Sequence, residues 1–209
     1  VREFTSEAPA ADAGGGPGMR APRRGALPAR VPARAGANRF HWDLRYAGTD
    51  PAAPGGGTDG PLVPPGRYEV RLRVDRGGTS TAASVPLEVV VDPRVAAAGV
   101  TPQHLEEQAD LLLKVRDAIV TGGRLAERLR AARTAAAGDA AKTKAIEDVL
   151  ARLVTAPIVY PQPMLIDQFS NIQRMLSQAD QRPGKDAWDR YHDLMKELGE
   201  VQAAASGVL

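Results

Sequence analysis

The sequence predicts an α+β fold in two parts: a partial antiparallel β-sandwich over residues 1–94, then an antiparallel bundle of three to four helices over residues 95–209. Three observations predict it. Residues 38–46 (NRFHWDLRY) and 67–75 (RYEVRLRVD) alternate apolar and polar side chains, the period of a strand with one buried face. From Thr101 onward, apolar residues instead recur every three or four positions, the period of a helix. Glycine (21) and proline (17) cluster in the first half, so its strands are separated by long irregular segments.

Each element follows in order. Residues 1–7 (VREFTSE) read as the end of a strand. Residues 8–36 lack periodicity and are rich in Ala, Gly, Pro and Arg; such a segment buries too little apolar surface to offset its ordering entropy, so a disordered insert is expected. In the strand 38–46, Phe40, Trp42, Leu44 and Tyr46 take one face, with Trp42 expected as a core residue of the sandwich, and Arg39, His41, Asp43 and Arg45 take the other. A second Gly/Pro insert is expected over about 48–62. Pro64, Pro65 and Gly66 suit a type II turn, because Pro65 presets φ and Gly66 tolerates positive φ. The next strand puts Tyr68, Val70, Leu72 and Val74 on one face and Arg67, Glu69, Arg71 and Arg73 on the other. Gly77 and Gly78 make a turn, and a partner strand is expected over about 82–91 with Val85, Leu87, Val89 and Val91 on one face. Pro86 lacks a donor, which marks an edge or a bulge.

Asp92-Pro93-Arg94 closes the sheet. Thr101 is the expected N-cap of the first helix, with Pro102 at its first position. Its stripe runs through Leu105, Ala109, Leu112, Val115 or Ile119, Ala126 and Leu129, and Gly122-Gly123 allows a bend or a close approach. A second helix is expected over about 140–154 on Ile146, Val149, Leu150 and Leu153, stopped by Pro157, Pro161 and Pro163. A third starts near Met164 and carries Leu165, Phe169, Ile172 and Leu176. A fourth follows Pro183-Gly184 with Ala187, Tyr191, Leu194, Leu198 and Val201, broadened by Trp188 and Met195. Stripes of this kind need partners, and a bundle supplies them.

Composition narrows the function classes. There is no cysteine, which excludes disulfides and thiolate metal sites. No apolar run is long enough for a transmembrane helix. Residues 1–94 carry 13 Arg and no Lys against 10 acidic residues, while 95–209 carry 14 basic against 15 acidic. The chain begins at Val1 with no signal peptide, and the expectation is a piece of a longer or processed protein.

His41, His104 and His192 have no metal-ligand spacing and read as surface histidines. Asp43 and Glu69 are strand carboxylates, but nothing sets them across a cleft as a glycosidase requires. Asp186, Asp189 and Asp193, among Lys185, Arg190 and Lys196, read as a solvated helix face. Arg20, Arg23, Arg24, Arg30 and Arg34 form a basic run with no acidic residue between Asp12 and Asp43. Such a run can bind nucleic acid through counterion release, yet it has no aromatics for base stacking, and a nucleic-acid partner is the weaker reading. Gly14–16 and Gly55–57 fit no phosphate-loop pattern. No catalytic, cofactor-binding or metal-binding residue is therefore assigned.

Four strands with a long return connection suggest part of an immunoglobulin-like sandwich. Three stretches carry a resemblance that agrees: VREFTSE with NRFHWDLRY; PLVPPGRYEVRLRVD with PLEVVVDPRV; and YPQPMLIDQFSNIQRMLSQADQRPGKDAWDRYHDL. Together they resemble the C-terminal region of bacterial sortilin-like, BNR-repeat β-propeller proteins, often labelled glycosyl hydrolases. There an immunoglobulin-like module similar to that of the flagellar hook-capping protein follows the propeller, and a helical tail follows it. The resemblance implies a secreted or periplasmic protein and an upstream propeller as the first partner. The propeller's Asp-box pattern, Ser-x-Asp-x-Gly-x-x-Trp, does not occur in this chain, so no propeller residue carries over.

The function expected is a non-catalytic accessory or interaction region of a larger secreted propeller protein, contacting another protein or a cell-surface component, with no cofactor. The alternatives are part of a glycoside hydrolase whose catalytic residues lie upstream, and a protein-interaction module that grips through its helices, with Trp188 and Leu198 as the residues to change.

Overall fold

The helices form where the apolar spacing places them. The computed structural model describes residues 2–7, 30–49 and 59–209. Within them, a short helix α1 (Pro93–Ala97) precedes four longer ones: α2 (Pro102–Ala135), α3 (Ala140–Leu153), α4 (Leu165–Leu176) and α5 (Lys185–Ser206). Thr101 caps α2 as expected. Its hydroxyl accepts from the His104 backbone N–H at 3.3 Å, and His104 Nδ1 accepts from the Thr101 N–H at 3.3 Å. This is a capping box with histidine at the position where glutamate is usual. The α1 helix was not anticipated. It starts because the Asp92 carboxylate accepts from the Arg94 N–H at 2.8 Å, with Pro93 at the first position.

Helices α2 to α5 share one apolar core. Leu111, Val115, Ile119, Ala126 and Leu129 of α2 meet Ile146 and Leu153 of α3. Leu165, Ile166, Phe169 and Ile172 of α4 and Leu194, Leu198 and Val201 of α5 complete it. Both alternatives at the centre of the α2 stripe, Val115 and Ile119, are buried. The Gly122-Gly123 pair does not interrupt α2, which runs through it. A Cβ on Gly122 would stand 3.0 Å from Ile166 Cγ1, so its small size lets α4 approach α2 closely. The aspect of the pair that matters is contact, not bending.

Among the described residues, the strands form two separate antiparallel two-stranded sheets. In the first, β1 (Arg45–Ala47) pairs with β2 (Asp59–Leu62), and β2 packs against α2. Arg116 of α2 ties the sheet down by donating to the Ala47 carbonyl at 3.1 Å. In the second, β3 (Gly66–Arg76) pairs with β4 (Thr79–Val89) residue for residue from Gly66–Val89 to Arg76–Thr79. Gly77 and Gly78 have φ of +56° and +82°, as a two-residue type I′ turn requires.

Three expectations need correction. The strand expected over 38–46 is regular only at Arg45–Ala47. Leu44 has φ +56°, a left-handed conformation that breaks the alternation. The indole N–H of Trp42 instead donates to the Arg45 carbonyl at 3.0 Å, and Trp42 is half-buried, not a sandwich core residue. Residues 2–7 make no strand; Phe4 packs on the Phe40 ring at a centroid distance of 4.6 Å. The insert expected over 48–62 contains β2, because Gly60 lets the chain pass close to the Tyr46 carbonyl, where a Cβ would be only 2.3 Å away. Residues 8–29 and 50–58, and with them most of both inserts, lie outside the described residues.

Candidate interaction surface

Among the described residues, nothing covers the apolar face of the β3–β4 hairpin. The register sets Tyr68 opposite Leu87, Val70 opposite Val85, Leu72 opposite Ala83 and Val74 opposite Thr81. All eight fall on one face, as the alternation of side chains along a strand demands. Only the base is sheltered: the Tyr68 hydroxyl donates to the Pro64 carbonyl at 2.6 Å and its ring meets Trp42 edge-on at 6.3 Å. Burial raises the Tyr68 pKa above its ordinary value, and Tyr46 and Glu106 add to the shift. Beyond Tyr68, Val70, Leu72, Val74 and Val85 are 47%, 54%, 50% and 58% exposed. Four large apolar side chains half-open on one ribbon form a contiguous patch of the sort that marks an interaction site.

At the base, a cleft of about 220 Å³ runs between the hairpin and the bundle. Leu62, Val63, Val89, Leu105, Leu112 and Leu176 line it. Gln108 also reaches it; its side-chain amide donates to the Leu176 and Ala179 carbonyls at 2.6 and 2.7 Å, and so closes the end of α4 onto α2. Gln108 was not singled out from the sequence, although its position between Leu105 and Leu112 places it on the apolar stripe. A polar residue on that stripe was the available signal. A second, shallower pocket of about 240 Å³ is lined by Arg45, Gly60, Pro61, Ser170, Gln173, Arg174 and Ser177.

The residues weighed for chemistry are dispersed. His41 is exposed, His104 caps α2, and His192 stacks on Trp188 at 6.1 Å. Asp43 pairs with Arg2 at 3.2 Å. Glu69 pairs with Arg71 at 3.2 Å, and its pKa is lowered first by a hydrogen bond from Ser84 and then by the Arg71 charge. Asp189 pairs with Lys185 one helical turn away, and Arg190 reaches Gln168 of α4. Among the described residues, no three His, Asp or Glu side chains gather as a metal site. Arg30 and Arg34 of the basic run are exposed; Arg20, Arg23 and Arg24 lie outside the described residues. Leu198, named for a helical grip, is fully in the bundle core, while Trp188 is half-buried with Lys114 above its ring at 5.4 Å. Among the described residues, no helix is long and apolar enough to cross a membrane.

Searches against protein-family models, curated proteins and solved structures return no match to this chain. The geometry of the hairpin and of the bundle therefore carries the functional reading.

Proposed function

We propose that this chain is a non-catalytic accessory region of a larger secreted β-propeller protein. In this reading the hairpin is part of a partial immunoglobulin-like sandwich over residues 1–94, and strands supplied by the rest of the larger protein cover its apolar face. The helices of residues 95–209 form the adjoining bundle. The observation that carries the reading is the open apolar face at Val70, Leu72, Val74 and Val85. A two-stranded hairpin is marginal by itself in water, and a half-open apolar ribbon becomes stable when a second layer packs on it. The stretches that resemble sortilin-like propeller proteins span both parts, and that resemblance implies the propeller partner and the extracytoplasmic location.

The chain has no cysteine, so one introduced at Val85 is a unique probe of that face. Val85→Cys is expected to react with a soluble thiol reagent at the rate of an open site in the 209-residue chain. In a longer chain carrying the sequence encoded upstream, the reaction should slow at least tenfold. Equal rates in both would sink the sandwich reading. Turnover of a glycan by the 209-residue chain, lost in Asp43→Asn or Glu69→Gln, would replace it with an enzymatic one.

A further inference from the structure

We infer that the outer edge of β3 is a self-pairing site, at which a second copy of this chain adds its own β3 antiparallel to form a four-stranded sheet. This concerns the edge of the hairpin and stands apart from the reading above, which concerns its face.

The ladder shows which edge is open. In a two-residue type I′ hairpin, the pair next to the turn exchanges hydrogen bonds, and such pairs recur at every second position. Arg76–Thr79 is that first pair, so Glu69–Pro86 is a pair without mutual hydrogen bonds. The imino nitrogen of Pro86 therefore faces outward. It costs the hairpin nothing and breaks the donor row along the outer edge of β4. The outer edge of β3 has no such block. There Arg67, Glu69, Arg71, Arg73 and Asp75 present outward N–H and C=O groups over nine residues. β3 and β4 make their substantial contacts only with each other, so the body of the bundle does not cover this edge.

The charges on β3 select one partner and one register. Place two β3 strands antiparallel about a two-fold axis at Arg71. Arg67 then meets Asp75 of the other copy, and Glu69 meets Arg73, each twice by symmetry. These are the residues whose peptide groups face outward, so they fall on hydrogen-bonded pairs. Tyr68 then lies opposite Val74, and Val70 opposite Leu72, at the alternate positions where cross-strand side chains come closest. The apolar faces of the two hairpins join on one side of the sheet. Sliding by two residues one way sets Arg67 against Arg73, which offsets the Glu69–Arg71 pairs it also forms; sliding the other way sets Glu69 against Asp75 and Arg71 against Arg73. Both neighbouring registers oppose like charges, which is destabilising. Only Arg71 meets its own kind in the favoured register, and each Arg71 already holds Glu69 of its own strand at 3.2 Å.

Sedimentation equilibrium of the 209-residue chain over a concentration series tests this, with a monomer–dimer equilibrium expected. Arg73→Glu sets glutamate against Glu69 twice and should weaken the dimer about tenfold or more. Adding Glu69→Arg restores opposite charges in the two-fold register, and the double variant should recover affinity to within about threefold of the parent. A pairing with any other surface would not be rescued this way. Arg71→Pro removes an outward donor without touching the hairpin's own ladder and should abolish the dimer; if it also unfolds the hairpin, the two charge variants decide alone. A chain that stays monomeric across the series overturns the proposal. So does a dimer indifferent to Arg73→Glu, or one that the double variant fails to restore.

Discussion

The bundle and the hairpin are built from the same kinds of apolar residue in strictly periodic order, and they end in opposite states. Leu111, Ile119, Phe169 and Leu194 are sealed in the bundle, while Val70, Leu72, Val74 and Val85 stand half-open on the hairpin. The difference lies in the number of layers available, not in hydrophobicity. Four helices offer four stripes that close on one another. One hairpin has an apolar face and nothing of its own to close it against. Among the described residues, the hairpin also satisfies its backbone along one edge of each strand only, so its outer edges remain unpaired there. Function is sought on the hairpin for that reason: a sealed core reports on stability, and an open face and edge report on partners.

Truncation in the core is the largest lever on this contrast. Phe169→Ala should cost about 3–5 kcal/mol in urea denaturation, because the side chain is enclosed and leaves a cavity. Leu72→Ala, at a half-exposed site, should cost well under about 1 kcal/mol in the same chain. Comparable losses at the two sites would mean that the hairpin is covered after all. Gln108→Ala comes next, at about 1–3 kcal/mol by the same measurement. It strands the Leu176 and Ala179 carbonyls at the foot of α4. If the loss is much smaller, water reaches those carbonyls through the neighbouring cleft, and the boundary between sealed and open regions lies deeper than drawn here. Gly199→Ala should stabilise α5 by about 0.5–1 kcal/mol, since a Cβ there meets nothing within 4 Å and glycine is a poor helix former. A thermal melt reads this as a modest rise in Tm.

The smallest effect is at the joint between the two regions. Hydrogen bonds from the Arg94 side chain and backbone hold the Asp92 pKa down to about 2. A carboxylate whose folded pKa is depressed stabilises the fold above its unfolded value, near 3.8, and that contribution is lost as pH falls toward 2. An NMR carboxyl titration should therefore place the Asp92 midpoint near 2. A midpoint near 4 would show that the start of α1 is not fixed, and that the hairpin is hinged more freely on the bundle. Asp92 is solvent-facing, so the effect should appear in the titration and not as a large change in stability.

The helical half was legible because each helix signal is local. Thr101-Pro102 begins α2 and prolines bound the third helix, as the cap and breaker rules require. The apolar stripes name most core residues but miss Leu111, Leu125 and Ile166. In the first half, local patterns gave the two-glycine turn and the apolar faces of β3 and β4, but placed the partner strand over about 82–91 where β4 runs Thr79–Val89, because a two-residue turn starts the pairing immediately after Gly78. Local patterns misjudged residues 38–46, where the alternation is strict and yet Leu44 turns left-handed and Trp42 binds back to the Arg45 carbonyl. They also passed over β2, whose Asp-Gly-Pro-Leu has little strand character and is held by pairing with β1 and by contact with α2. Of the interaction surface, the sequence supplied the face but not its exposure, because periodicity names the residues that want burial and is silent on whether a partner layer is present.

By itself, the sequence determined the α+β class, the starts of the four long helices and most of their stripes, the two-glycine hairpin turn and the lack of cysteine chemistry. All of these follow from residue spacing and local backbone preference. Only the tertiary structure decided that the small β1–β2 sheet rests on α2, that Gly122 serves as a contact for Ile166, that Gln108 locks α4 to α2, and that the hairpin's apolar face stands open. Each of these depends on which distant surfaces meet, and burial belongs to the packed whole rather than to any segment of the chain.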